Sequence, residues 1–238
     1  VKTLVAVATL PEREALLPIS LGSLRKQCDR LHVYLNGHAE VPACVRDLAD
    51  DVVHAPENQG ADVKFHWAHE HDGIYLSCDD DFTYPPDYVR RMAEAVERWE
   101  GQAFVTAHGR TYPPHPTGAG DQILGRAATL NHPVPHGRWV NHAGTGVLAW
   151  DATRIKVPLT YPVINRTDVQ LSAWANARGI PIWVVHHSPN WLRPIPNRCD
   201  SVGKQSRREG HATKNALLLA HPEWKLHEIR ERERTLHP

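Results

Sequence analysis

Three consecutive aspartates, Asp79, Asp80 and Asp81, follow a short apolar run and precede a Pro-Pro pair in GIYLSCDDDFTYPPDY (73–88). Adjacent carboxylates repel one another and resist leaving water, so such a cluster costs free energy unless a cation neutralises it. Asp79 and Asp81 stand two residues apart, a spacing that lets both side chains of an extended segment face one cation while Asp80 points elsewhere. Hard carboxylate oxygens suit Mg²⁺ or Mn²⁺, an ion that can bridge to the phosphates of a ligand. A solvated acidic turn is the plain alternative. The placement of the other polar segments argues against it.

Those segments sit on an alternating pattern of elements. TLVAVATL (3–10), RLHVYLNG (30–37), DVVHA (51–55), GIYLSCD (73–79) and AFVTAHG (103–109) read as strands from their apolar, β-branched runs. PEREALLPISLGSLRKQ (11–27) reads as a helix interrupted at Pro18, GADVKFHWAHEH (60–71) as a helix, and PPDYVRRMAEAVERWE (85–100) as a helix with proline in its first turn. Strands alternating with helices predict an α/β fold with a mostly parallel sheet, whose ligands gather beyond the carboxyl ends of the strands. Three polar segments fall at such ends: Thr9-Leu10-Pro11-Glu12-Arg13, Glu57-Asn58-Gln59-Gly60 and the aspartates themselves.

Composition narrows the classes. The 27 basic and 27 acidic residues balance, which gives no electrostatic case for nucleic acid. No apolar run approaches a membrane span and no signal peptide opens the chain. Four cysteines without C-x-x-C spacing fit reduced thiols in a cytoplasmic protein, and no zinc signature groups the 17 histidines. The chain opens on Val1 and enters a strand at once, as expected of a domain cut from a longer protein.

The ordered set VAVATLPERE, SLRKQCDRLHVYLNG, ENQGADVKFHWA and GIYLSCDDDFTYPPDY resembles the nucleotide-sugar-binding half of GT-A glycosyltransferases, most of all bacterial family-2-like enzymes of capsular or other surface polysaccharides. The resemblance runs from residue 3 to about 110 and more weakly through GTGVLAW (144–150), NRTDVQLSAWANARGIPIWVV (165–185) and NWL (190–192). It implies a GT-A mixed sheet flanked by helices: a single domain over 1–238, with a nucleotide-sugar-binding half (1–110), an acceptor half (111–210) and a helical tail (211–238). It implies a metal-dependent, inverting transfer of sugar from a nucleotide-diphosphate donor, a UDP-sugar favoured, to a saccharide or lipid-linked acceptor, at the inner membrane face or in the cytoplasm, with a neighbouring polymerase domain as a further partner. Asp79 and Asp81 would hold Mn²⁺ or Mg²⁺, with Asp80 near the ribose or sugar. Thr9, Pro11 and Arg13 would cradle the nucleoside, Asp62 would lie near the base, and Asn58 and Lys64 would complete the donor site. For Arg13 and Lys64 the plain alternative is a solvated helix charge.

In the second half, Gly144, Thr145 and Gly146 allow close backbone approach to an acceptor sugar, or mark a glycine-containing strand. RTDVQLSAWANARG (166–179) reads as a helix with a Thr or Asp cap and a Gly stop. The resemblance makes Asp168 the general base, a simple cap being the alternative. His186 or His187 would be a third metal ligand, and Trp191 would stack on a sugar or fill core. RCDSVGKQSRREGHATKN (198–215) reads as a lid whose Lys204, Arg207 or Arg208 meets the diphosphate, or as a plain connection. The sequon Asn165-Arg166-Thr167 fits a chance match, and residues 212–235 read as one or two charged helices. Two other classes remain open: a nucleotidyltransferase, although ATLPERE lacks the glycines of a triphosphate loop, and a non-catalytic carbohydrate-binding domain.

Overall fold

The computed structural model describes residues 1–121, 129–197, 199, 208–209 and 211–229. Twelve strands form in chain order: β1 (Thr3–Thr9), β2 (Arg30–Asn36), β3 (Asp51–Ala55), β4 (Ile74–Asp79), β5 (Phe82–Thr83), β6 (Phe104–Thr106), β7 (Gly109–Arg110), β8 (Arg138–Val140), β9 (His142–Ala143), β10 (Val147–Asp151), β11 (Ile182–Val184) and β12 (Arg193–Pro194). The helices are α1 (Leu17–Arg25), α2 (Ala43–Leu48), α3 (Tyr88–Arg98), α4 (Thr167–Ala177) and α5 (Ala212–Ala220). Among these residues no helix is long and apolar enough to cross a membrane.

Eight strands make one mixed sheet in the order β3-β2-β1-β4-β10-β6-β11-β8. The first four are parallel, β10 runs antiparallel between β4 and β6, and β8 is antiparallel to β11. The apolar run of β1 has no polar alternation because both faces are covered. Val5 and Val7 join one core with Leu17, Leu21 and Leu24 of α1 and Met92 and Val96 of α3. Leu4 and Ala6 join the opposite core with Phe65, Trp150 and Leu171. The result is an α/β sandwich.

Several elements depart from expectation. The helix predicted over 60–71 is a 3₁₀ turn, Ala61–Phe65, followed by further turns. Gly60 enters it at a φ of 92°, and the ring of Trp67 is buried, with its Nε1 donating to Asp51 Oδ2 at 2.7 Å. Tertiary anchoring here overrides helical periodicity. The break in 11–27 comes where a 3₁₀ turn, Pro11–Leu16, meets α1, so that Pro18 lies in the first turn of α1 instead of kinking it. The strand predicted over 103–109 divides into β6 and β7, and the Thr106 hydroxyl meets both the carbonyl and the amide of His108 at the division. Residues 43–48, with no pattern to announce them, form α2. In the tail, one helix, α5, is followed by irregular chain to 229.

Buried Asn36, at the end of β2, organises the loop after β3. Its Oδ1 accepts from the Gln59 amide at 2.7 Å, and its Nδ2 donates to Asn58 Oδ1 at 2.9 Å and to the Gly60 carbonyl at 3.0 Å. Asn36→Ala would leave the Gln59 N–H and the Gly60 carbonyl unpaired, a loss of about 1–3 kcal/mol. Urea unfolding should show that loss, and unchanged stability would refute this role for Asn36.

Candidate active site

A cavity of about 530 Å³ opens beyond the carboxyl ends of β1 and β4, where the chain order in the sheet reverses. Thr9, Arg13, Asn58, Lys64, Asp79, Asp80, Asp81, Gly144, Thr145, Gly146 and Asp168 all line it. Parallel register sets Ala8 of β1 beside Asp79 of β4, so the Thr9–Arg13 turn and the aspartates meet directly. The turn after Asp79 is braced from behind. The Ile195 amide donates to the Asp81 carbonyl at 2.7 Å, and the Tyr84 hydroxyl donates to the Asp79 carbonyl at 2.8 Å.

Two cations restrain the carboxylates. Arg13 Nη1 donates to Asp80 Oδ1 at 2.6 Å and lies 3.5 Å from Asp81 Oδ2. Lys64 Nζ donates to Asp79 Oδ1 at 3.0 Å. Both side chains are therefore turned into the site and are not solvated helix charges. Burial alone would lower each of these cations, yet Asp80 and Asp81 around Arg13, and Asp79 and Asp168 around Lys64, hold both above their ordinary values. Neutralisation is incomplete. Asp80 Oδ2 and Asp81 Oδ1 are buried without a hydrogen-bond partner. Burial raises the Asp80 carboxyl against the pull of Arg13, and burial followed by repulsion from Asp79 pushes Asp81 up to about 6. Orphaned hard oxygens on Asp80 and Asp81, beside the Asp79 carboxylate, fit a divalent cation as a further partner. Among the described residues, no group of three or more His, Cys, Asp and Glu side chains forms a ready-made cage for such an ion.

The facing wall comes from the segment before β10. The Gly146 carbonyl accepts from the Asp79 amide at 2.8 Å, and a Cβ on Gly146 would collide with the Asp79 carboxylate. A Cβ on Gly144 would lie 2.8 Å from the His108 ring. Between these glycines, Thr145 donates its amide and hydroxyl to Asp168 Oδ1 at 2.9 and 2.5 Å. Asp168 itself is exposed. It is not the cap of α4: the N-cap is Arg166, without a side-chain capping bond, and Asp168 lies in the first turn. The Gly stop holds, with Gly179 at a φ of 68°.

Five predicted site residues lie outside the cavity lining. Pro11 is exposed on its 3₁₀ turn. Asp62 is buried with both oxygens engaged, accepting from Thr167 Oγ1 at 2.5 Å and the Tyr161 amide at 2.8 Å, so it clamps the start of α4 and stands behind the cavity lining. Trp191 packs between Arg91, 4.3 Å above its ring, and His187, stacked at 6.1 Å, which leaves no face for a sugar. His187 is buried with its ring nitrogens against the carbonyls of Ser188 and Ala107, at 3.0 and 3.2 Å. His186 is exposed next to Arg91, which donates to its carbonyl, away from the aspartates. Neither histidine is placed to bind a metal with them. In the predicted lid, Lys204 and Arg207 fall outside the described residues, and Arg208 is exposed. Thr167 of the sequon is buried, and Asn165, at a φ of 59°, lines the cavity.

No protein-family model matches the chain, and no curated protein matches it in sequence. Solved structures do match it by fold. Glucosyl-3-phosphoglycerate synthase from Mycobacterium tuberculosis, in complex with phosphoglyceric acid, aligns with a TM-score of 0.58 and 14% identity over 91% of this chain and 78% of that one. The same synthase in complex with Mn²⁺, uridine diphosphate and glucosyl-3-phosphoglycerate aligns with a TM-score of 0.58 and 14% identity over 92% of this chain and 79% of that one. The fold is GT-A. A 4-diphosphocytidyl-2C-methyl-D-erythritol synthase aligns less well, with a TM-score of 0.47 and 10% identity over 91% of this chain and 98% of that one.

The GT-A cavity also holds residues that sequence reasoning missed: Asn36, His108, Arg110, His142 and Lys214. Asn36 was legible as the Asn of the Asn-Gly turn ending β2. Arg110 and His142 come from two-residue strands, Lys214 from the tail helix and His108 from the bend between β6 and β7, none with a periodic signature.

The Asp81 shift has a stability consequence. Its folded value of about 6 lies above its ordinary 3.8, so between those values the folded protein keeps a proton that the unfolded chain has lost. Stability therefore falls as pH rises through that window and levels off above it. In chelator, Asp81→Asn should melt a few degrees above the parent at pH 7.5 and match it below pH 3.8. Mn²⁺ at pH 7.5 should raise the melting temperature of the parent more than that of the variant. An equal difference between the two proteins at both pH values would refute this.

Proposed function

We propose that the protein is a metal-dependent, inverting glycosyltransferase that moves a sugar from a nucleotide-diphosphate donor to a hydroxyl acceptor. One observation carries this reading. The partly unpaired carboxylates at the end of β4 and the Thr145-anchored Asp168 line the same cavity. A cation-binding donor site in one cavity with a fixed carboxylate base is what in-line displacement at an anomeric carbon needs.

The donor's nucleoside lies against Thr9 and the Asn36–Asn58 web, and its diphosphate faces Asp79 and Asp81. Those two carboxylates would hold Mn²⁺ or Mg²⁺, which when bound offsets the charge on the departing nucleoside diphosphate. Arg13 orients Asp80 and stays charged throughout. Lys64, paired with Asp79, adds a second cation at the diphosphate. The acceptor lies along Gly144–Gly146. Asp168 takes the proton of its hydroxyl as the oxygen bonds to the anomeric carbon and the bond to the diphosphate oxygen breaks, and this single displacement inverts the centre. A UDP-sugar is favoured because the Mycobacterium tuberculosis synthase of the same fold is described in complex with Mn²⁺ and uridine diphosphate. The resemblance of residues 3–110 to surface-polysaccharide enzymes favours a saccharide or lipid-linked saccharide as acceptor.

Calorimetry with UDP in chelator and then in Mn²⁺ tests the donor site: tight binding should require the cation and should fail in Asp79→Asn. Asp168→Asn tests the base. An amide oxygen can still accept from Thr145, so melting temperature and UDP binding should hold, while transfer, or donor hydrolysis as a stand-in, slows about a hundredfold or more. Transfer at the parent rate would remove Asp168 from the mechanism.

A further inference from the structure

The cavity has a second charged corner, of opposite sign. The β7–β9 pairing sets Arg110 directly across from His142, and the Tyr112 ring meets the His142 ring edge-on, 5.6 Å between centroids. Lys214 of α5 reaches over the same tyrosine, with Nζ 5.7 Å from the Tyr112 ring centroid. Arg110, Lys214, His108 and His142 all line the cavity. Among the described residues, no carboxylate pairs with Arg110 or Lys214, whereas Arg13 and Lys64 are both ion-paired. Two half-buried cations converging without a counter-ion repel each other, which favours an anion between them.

His142 points the same way. Its side chain is 97% buried, as its exposure is 3%, and neither ring nitrogen has a hydrogen-bond partner. Burial, with Lys214 and Arg110 next, keeps it well below the ordinary histidine value, so it is neutral and has one N–H to donate. An unsatisfied donor beside two cations is the complement of a tetrahedral oxyanion.

Topology separates this corner from the donor site. Asn36 and Asn58 lie at the β2–β3 side of β4, whereas Arg110, His142 and Lys214 lie at its β10–β6 side, next to Asp168. We propose that the Arg110–His142–Lys214 corner binds a phosphate group carried by the acceptor, so that the molecule glycosylated at Asp168 is itself a phosphate ester. This rests on the glycosyltransferase reading and names its acceptor class. Two full positive charges suit a phosphate dianion better than a carboxylate.

Calorimetry with inorganic phosphate as the probe tests it, on protein saturated with UDP and Mg²⁺ and again on nucleotide-free protein, with acetate as a second arm. Phosphate should bind the UDP-loaded protein and outcompete acetate. Arg110→Gln and Lys214→Gln should each weaken phosphate about tenfold and leave UDP affinity within twofold. Arg110→Lys, which keeps the charge, should retain most of the binding, and thermal melts should show all variants folded. Competition between phosphate and UDP would reassign the corner to the donor diphosphate and overturn the proposal. So would phosphate affinity indifferent to both substitutions, or preference for acetate. Failure of UDP to bind would instead sink the glycosyltransferase reading, and the nucleotide-free phosphate arm would still decide whether the anion site exists.

Discussion

Three adjacent carboxylates at the mouth of a buried strand repel one another, and the neighbouring architecture is arranged around that repulsion. Arg13 reaches Asp80 from the turn after β1, and Lys64 reaches Asp79 from the 3₁₀ turn after β3. Each cation is buried deeply enough that it would lose affinity for its proton without the aspartates, so carboxylates and cations depend on each other. The balance is short on the acidic side: Asp80 and Asp81 each keep an unpaired oxygen and an elevated proton affinity. A site so arranged gives up stability in the free protein, which a bound cation would restore.

Sheet order converts this local balance into a two-walled site. Were the sheet wholly parallel, the strand beside β4 would deliver its carboxyl end to the crevice. Because β10 runs antiparallel between β4 and β6, it instead delivers the loop that leads into it, with Gly146 against Asp79 and Thr145 against Asp168. Asp62 performs the matching task beneath, bonding the 3₁₀ turn after β3 to Thr167 at the start of α4. The wall that carries Asp168 is thus tied to the rest of the cavity at two levels.

The strands of the first half were legible because burial on both faces writes uninterrupted apolar runs, as in TLVAVAT and IYLSCD. The aspartates were legible because an acidic run after such a strand has few structural uses. Asp62 and Lys64 share a turn and carry opposite charges, and sequence gave no way to learn that one faces inward to Thr167 and the other to the cavity. The histidine pair 186–187 lies just beyond β11, yet backbone carbonyls surround the inward ring. The basic corner was invisible because Arg110, His142 and Lys214 are separated by many residues and meet only through a two-residue strand pairing and the packing of α5.

Thr145 and Gly146 are neighbours on the chain that serve different carboxylates, one by donating hydrogen bonds and the other by lacking a side chain. Both sit in the three-residue turn between β9 and β10, whose ends the strand pairings fix, so inserting or deleting one residue between Gly144 and Val147 would shift Gly146 off Asp79 and Thr145 off Asp168. A Cβ would then press on Asp79 while Asp168 lost both of its donors. Serine at 145 keeps the amide and the hydroxyl and would be tolerated. Here the count of residues is under tighter constraint than their identity, and grafts into this loop must keep the count even where they rewrite the letters.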